Sequence, residues 1–262
     1  MTKEKMIIEI KEWLKEAAGY ICVSLTGELS VSQKSGRTDL VTNIDEETQL
    51  FLIKKINQHY PDDRILAEEK GYDTIDSLAG RVWIIDPIDG TMNFVMEQEN
   101  FCIMIAVFED GIGQLGFIYD VMKDELYWGG KDYGVFLNDQ KLLQPKGTSL
   151  SEGLLGMNAY MYGKNIYSAG EIGQASMGIR VSGCAGIELI AMLKGNHIGY
   201  ISNLSPWDYA AGLVLLDEFG FKYSNIEGKP LAFAKREYFL AATPAAYTEI
   251  QENFIQKYYL RS

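Results

Sequence analysis

The sequence has only two histidines, His59 and His197, in 262 residues. Histidine-rich metal centres and histidine-dependent catalytic triads are excluded on that inventory, which leaves carboxylates to carry any chemistry. Cysteine is scarce as well. Cys22, Cys102 and Cys184 form an odd count with no pair close in sequence. That argues against a disulfide framework or a zinc knuckle and fits a reducing cytosol. No apolar run is long enough to span a bilayer. The opening Met1-Thr2-Lys3-Glu4-Lys5 leads into an amphipathic stretch, not into the apolar core of a signal peptide. A soluble, cytoplasmic protein without a membrane partner is expected. Positive charge is also in short supply. Lys and Arg number 24 against 36 Asp and Glu, a formal charge of −12, which is a poor basis for binding nucleic acid.

What is present is a packed, globular composition, 47% hydrophobic and 12% aromatic. Helical spacing of apolar residues runs over residues 4–21 and again over 44–59, the second stretch capped by Thr42 or Asn43 and stopped at Tyr60-Pro61. Residues 26–39 are polar and glycine-bearing and are expected to form a loop. Strands are expected at 64–67, 82–85, 101–108, 115–119, 125–128 and 133–137. The second half alternates: strands at 154–157, 197–201 and 238–242, helices at 185–194, 206–219 and 245–258. The pattern predicts a mixed α/β (α+β) protein with layered helices and sheets. One domain over 1–262 is expected, with two layered halves of about 1–145 and 146–262.

The chemistry concentrates at Trp83-Ile84-Ile85-Asp86-Pro87-Ile88-Asp89-Gly90-Thr91. An apolar strand ends in Asp86, proline forces a turn, and a second acid follows three residues after the first. Gly90 permits an unusual backbone angle, and Thr91 opens a helix. Two carboxylates beyond the end of a buried strand repel one another, and a hard divalent cation relieves that repulsion through oxygen ligands. The helix start would aim N–H groups at an anion. Other acids stand near structural boundaries: Glu68 in Ala67-Glu68-Glu69, Asp208 in Ser205-Pro206-Trp207-Asp208, and Asp45 in Thr42-Asn43-Ile44-Asp45. Each has a plainer role on its own. Asp-Pro-x-Asp-Gly can be only a turn, Glu68-Glu69 a solvated charge pair, and Asp208 and Asp45 first-turn acids that stabilise a helix.

Their order and company resemble the inositol monophosphatase family. The combination is Ala-Glu-Glu, then Trp-Ile-Ile-Asp-Pro-Ile-Asp-Gly-Thr-x-Asn-Phe, then Pro-Trp-Asp-x-Ala-Ala-Gly. The resemblance spans Asp39 to about Gly220 and implies a layered αβαβα sandwich of the sugar and inositol phosphatase type. It also implies roles. Glu68, Asp86, Asp89 and Asp208 would bind metal, with the Ile88 carbonyl and the Thr91 hydroxyl as further ligands. Mg²⁺ is the implied cofactor, two or three ions per site. Glu68, Thr91 and Asp45 would activate the nucleophilic water. Asp89, Gly90 and Thr91 would meet the phosphate, Gly183, Cys184 and Ala185 the alcohol part, and Lys34 matches a basic position on a loop near the site. Lithium sensitivity and a homodimer are implied too.

The implied reaction is Mg²⁺-dependent hydrolysis of a small phosphorylated metabolite, with a metal-activated water attacking a phosphate monoester. Family members that prefer inositol phosphates carry a substrate-orienting acid seven residues before the last metal aspartate. Here that place is Ile201, and no acid lies between His197 and Asp208. Other esters therefore stand as alternatives: the 2′-phosphate of NADP, fructose 1,6-bisphosphate or another sugar phosphate. The haloacid-dehalogenase type of phosphatase is a rival, but it spaces its aspartates Asp-x-Asp, whereas here they stand Asp86-x-x-Asp89. A non-catalytic scaffold that keeps the fold is the remaining alternative, and the full set of acids argues against it.

Overall fold

The computed structural model describes residues 2–27, 30–36 and 39–261. Apolar residues at helical spacing bury one face of α1 (Lys3–Ser24) and of α2 (Asn43–His59). Between them lie β1 (Val31–Gly36) and β2 (Asp39–Thr42), an antiparallel pair. The loop expected over 26–39 is thus largely strand; residues 28–29 and 37–38 lie outside the described residues. Polar Ser32 and Gln33 hid the pair: the described side chains of β1, Val31 to Gln33, are exposed and show no apolar alternation. Thr42 caps α2, as the sequence predicts.

β3 (Arg64–Ala67) runs parallel to β4 (Arg81–Asp89). The short helix α3 (Thr91–Met96) follows. β5 (Cys102–Glu109), β6 (Ile112–Asp120), β7 (Glu125–Gly130), β8 (Gly134–Leu137) and β9 (Gln140–Lys141) then complete an antiparallel meander. The sheet has seven strands in the order β3-β4-β5-β6-β7-β8-β9.

The second half contains β10 (Leu154–Met157), α4 (Ala159–Gly163), α5 (Ala169–Ala175) and β11 (Gly178–Arg180). It continues with α6 (Ala185–Leu193), β12 (His197–Leu204), α7 (Pro206–Glu218) and β13 (Lys222–Asn225). β14 (Glu237–Ala242) and α8 (Pro244–Ile250) lead through a π-helical stretch, Gln251–Ile255, into α9 (Gln256–Arg261). Its five strands are ordered β11-β10-β12-β14-β13.

Alternation along the strands builds the layers. In β5, Ile103, Ile105 and Val107 join Trp83, Ile85 and Phe117 under α1 and α2. Cys102, Met104, Ala106 and Phe108 face the other way, onto α6 and α7. Those two helices are sandwiched, because Tyr200, Phe239 and Ala241 of the second sheet close on them from beyond. The far face of that sheet, with Leu155, Ile201 and Leu240, packs on α5 and α8. The result is the αβαβα sandwich. α7 lies so close to β6 that a Cβ on Gly116 would stand 2.4 Å from the Ala211 carbonyl oxygen. No helix among the described residues is long and apolar enough to cross a membrane.

Candidate functional site

Strand β4 delivers the first two acids. The sequence predicts that Pro87 ends the strand in a turn. Instead the strand continues to Asp89, and its pairing with β5 shifts register between Asp86 and Asp89. A bulge accommodates proline because the missing N–H is not required there. Both aspartates are buried and line one cavity of about 550 Å³, whose wall also includes Glu68, Ile88, Gly90, Thr91 and Asp208. Gly90, at φ 88°, turns the chain into α3. That helix has six residues, too few for a substantial helix dipole, so individual N–H groups are what it offers an anion.

The structure brings the acids together. Asp86, Asp89 and Asp208 each place a carboxylate oxygen within 4.8 Å of the others. Asp208 comes from the first turn of α7 and also caps it, accepting a hydrogen bond from the Ser205 N–H at 2.7 Å. Asp86 Oδ1 accepts from the Ile88 N–H at 3.1 Å. Asp89 is held by the start of α6. Its Oδ2 accepts from the Gly186 N–H at 2.5 Å and its Oδ1 from the Ala185 N–H at 3.3 Å. The Cys184 thiol donates to Asp89 Oδ2 at 3.1 Å.

Burial, with the charges of Glu68, Asp89 and Asp208 around it, pushes the Asp86 carboxyl well above the ordinary carboxylate range. Burial also raises Asp89, against the lowering effect of its Gly186, Cys184 and Ala185 donors. Asp208 is pushed up to about 8, by burial first and then by Asp89. In protein alone, then, this cluster resists carrying its full negative charge.

Asp45 sits behind it, fully buried. It caps α2 and also meets Thr91. Its Oδ2 accepts from the Thr42 N–H at 2.8 Å and the Thr42 hydroxyl at 2.5 Å, closing the cap of α2. Its Oδ1 faces the Thr91 hydroxyl at 3.0 Å. Burial raises its carboxyl to about 6. Gly183 lines the cavity with Ala185. Cys184 is buried behind them. Lys34 falls on β1, and its side chain lies outside the described residues.

Several residues of the site had no role assigned from the sequence. Asn93 donates to the Asn100 carbonyl at 2.9 Å and to the Ser182 carbonyl at 2.8 Å, tying two loops together. Glu188 accepts from the Ser182 N–H at 2.9 Å and sets the same loop from below. Arg236 approaches Asp208 at 3.8 Å and donates to the Asn203 carbonyl at 3.0 Å. It is the one cation among the described side chains on the cavity wall. Asn158 caps α4 and lines the same cavity. Ile201 belongs to the core on the far face of its sheet, and its strand neighbours Tyr200 and Ser202 face the cavity instead. Only the Thr-x-Asn spacing after Gly90 was available to find Asn93; Glu188, Arg236 and Ser202 are single polar residues.

A sequence profile of the inositol monophosphatase family matches residues 2–258. The inositol-1-monophosphatase of Bacillus subtilis (strain 168) is 43% identical over 97% of this chain and 98% of its own length. A crystal structure of an IMPase/NADP phosphatase complexed with Mg²⁺ and phosphate superposes with a TM-score of 0.88 at 29% identity, covering 95% of this chain and 94% of that one. Staphylococcal inositol monophosphatase-1, in an LiCl-soaked inhibitory complex, gives a TM-score of 0.89 at 29% identity over 96% of this chain and 95% of that one.

Proposed function

The chain belongs to the inositol monophosphatase family, a family of phosphoric monoester hydrolases, and on that premise we propose that Glu68, Asp86, Asp89 and Asp208 hold Mg²⁺ for hydrolysis of a small-molecule phosphate monoester. One observation carries the assignment: three buried carboxylates converge within 4.8 Å. The donor set fits the ion. It is all oxygen, which suits a hard cation, and the raised Asp86, Asp89 and Asp208 mark a charge deficit that a cation fills. The Ile88 carbonyl and Thr91 hydroxyl add oxygen donors at the same wall. Magnesium bound there supplies a Lewis acid that activates water and stabilises the leaving oxygen.

The chain's own residues do the rest. Thr91 donates its single hydroxyl hydrogen to Asp45, which leaves its lone pairs to accept a hydrogen bond that orients the attacking water. Asp45 keeps that hydroxyl oriented because its other oxygen is fixed by Thr42. Glu68, on the cavity wall beside Asp86, is the general base of the assignment. The N–H groups of Gly90 and Thr91, with Asp89, position the phosphoryl group, and the backbone of Gly183, Cys184 and Ala185 meets the alcohol. Lys34, which matches a basic position of the family's loop, is assigned to substrate binding on that resemblance. The chain is read as one domain of two layered halves, working as a cytoplasmic homodimer with two or three ions per site.

An inositol phosphate is the first substrate to test. A second class, an ester with another anionic group such as fructose 1,6-bisphosphate or NADP, is favoured by Arg236, whose guanidinium is the one cation among the described side chains on the cavity wall. A phosphate-release screen over such esters at fixed Mg²⁺, with and without lithium, decides. Lithium-sensitive release from at least one ester is expected; no release from any of them would overturn the assignment.

A further inference from the structure

Two buried thiols lie against the carboxylate cluster, and the proposed chemistry uses neither. Cys102 begins β5 and Cys184 is the N-cap of α6. They are 82 residues apart in sequence, yet their sulfurs are 3.9 Å apart. Both face the same oxygen. Asp89 Oδ2 is 3.1 Å from Cys184 Sγ and 3.7 Å from Cys102 Sγ. Neither thiol lines the cavity; they stand behind Asp89 on its inner side. Glycine makes the approach possible. A Cβ on Gly186 would stand 2.3 Å from Cys102 Sγ and 3.1 Å from Asp89 Oδ2.

These separations have a chemical meaning. A tetrahedral ion with bonds of about 2.3 Å to thiolate and about 2.0–2.2 Å to carboxylate holds two sulfurs about 3.8 Å apart, and sulfur and oxygen about 3.5 Å apart. The observed 3.9, 3.1 and 3.7 Å bracket those edges. Two sulfurs and one oxygen form a soft donor set, which selects the zinc class over magnesium. The geometry points to a second cation site, made of Cys102, Cys184 and Asp89, that binds a thiophilic divalent ion of the Zn²⁺ and Cd²⁺ type and shares Asp89 with the oxygen cluster. On binding, two S–H bonds break and two sulfur–metal bonds form. Both protons leave to solvent, and no electrons are exchanged. An ion there draws Asp89 away from the oxygen cluster, so it inhibits. The inhibition rests on the role proposed for Asp89, while the binding does not.

The test is a Cd²⁺ titration of the full chain carrying Cys22→Ser, which removes the exposed thiol. The ultraviolet sulfur-to-cadmium charge-transfer band and phosphate release at fixed Mg²⁺ are read together. The band is expected to reach its end point at one ion per chain as activity falls. Adding Cys102→Ser, or Cys102→Ala, is expected to abolish the band and raise the half-inhibiting Cd²⁺ concentration at least about tenfold, the scale on which even outer partners of a metal matter. Turnover without Cd²⁺ is expected to stay unchanged in both variants. No band in the Cys22→Ser chain, or a band that survives both Cys102 substitutions, would overturn the site. If the chain releases no phosphate at all, the catalytic assignment fails, and the band still decides this one.

Discussion

Thr91 has one hydroxyl hydrogen and two acceptors within reach, Asp45 Oδ1 at 3.0 Å and the Ile88 carbonyl at 3.1 Å. Only one can be satisfied at a time, and Asp45 is the charged, buried partner. Thr91→Val keeps the shape and removes the choice. Its kcat is expected to fall about a hundredfold or more, within the range for loss of a group that orients the reacting water for proton transfer, with the fold intact by circular dichroism. A kcat within about threefold of wild type would remove Thr91 from the chemistry. Asn93 acts by strapping loops. Asn93→Ala leaves the Ser182 and Asn100 carbonyls without their donor. It is expected to cost about 1–3 kcal/mol of stability, read by denaturant unfolding. At this scale the acids were legible because each stands at a break that sequence marks: a strand end, a cap, a Pro-Trp-Asp helix start. The roles of Asn93, Glu188 and Arg236 were not, even though Asn93 falls inside a quoted motif, since a polar residue acquires its role only from neighbours that folding brings from elsewhere in the chain.

At the scale of elements, the long strands and helices followed from periodicity. β5 alternates between two cores residue by residue, and its apolar run announced a strand buried on both faces. Short or half-exposed elements escaped. The described side chains of β1 are exposed, and β11 has three residues, none fully buried. The helix expected over 245–258 is interrupted by a π-helical stretch at Gln251–Ile255, a change of hydrogen-bond register that composition does not encode. Pro87 misled for a physical reason: proline ends a regular ladder, but a bulge supplies a position with no donor to lose. The tight layer between β6 and α7 gives a sharp expectation. Gly116→Ala would drive a Cβ to 2.4 Å from the Ala211 carbonyl oxygen. The strain is expected to cost about 1–3 kcal/mol and to lower the thermal midpoint, with residual activity per folded molecule unchanged.

Across the whole molecule, the net charge of −12 and the acid cluster pose one problem: a negative protein that is to bind a negative substrate needs cations at the site. The buried acids make this measurable. Asp208 is raised to about 8 and Asp45 to about 6, while Asp86 and Asp89 are raised as well. In the unfolded chain such carboxyls titrate near about 3.9. The metal-free native state therefore holds protons that the unfolded state has released. The stability contributed by the protonated acids is full below about pH 4 and is lost as pH rises toward about 8. Mg²⁺ takes the place of those protons, so the rise in thermal midpoint on adding it is expected to be larger near pH 8 than near pH 5. Equal shifts at both would separate the cluster from metal binding.

The most direct measurement is the Mg²⁺ dependence of phosphate release by wild type and by Asp89→Asn, which keeps the size of the side chain and removes one charge from the converging three. The expected result is release that requires Mg²⁺ in wild type, and in the variant a kcat at least about a hundredfold lower, since loss of a direct ligand exceeds the 10–100-fold effects of outer partners. Release in wild type that persists without a divalent cation, or an Asp89→Asn protein that turns over like wild type, would contradict the assignment of this cluster as the catalytic metal centre.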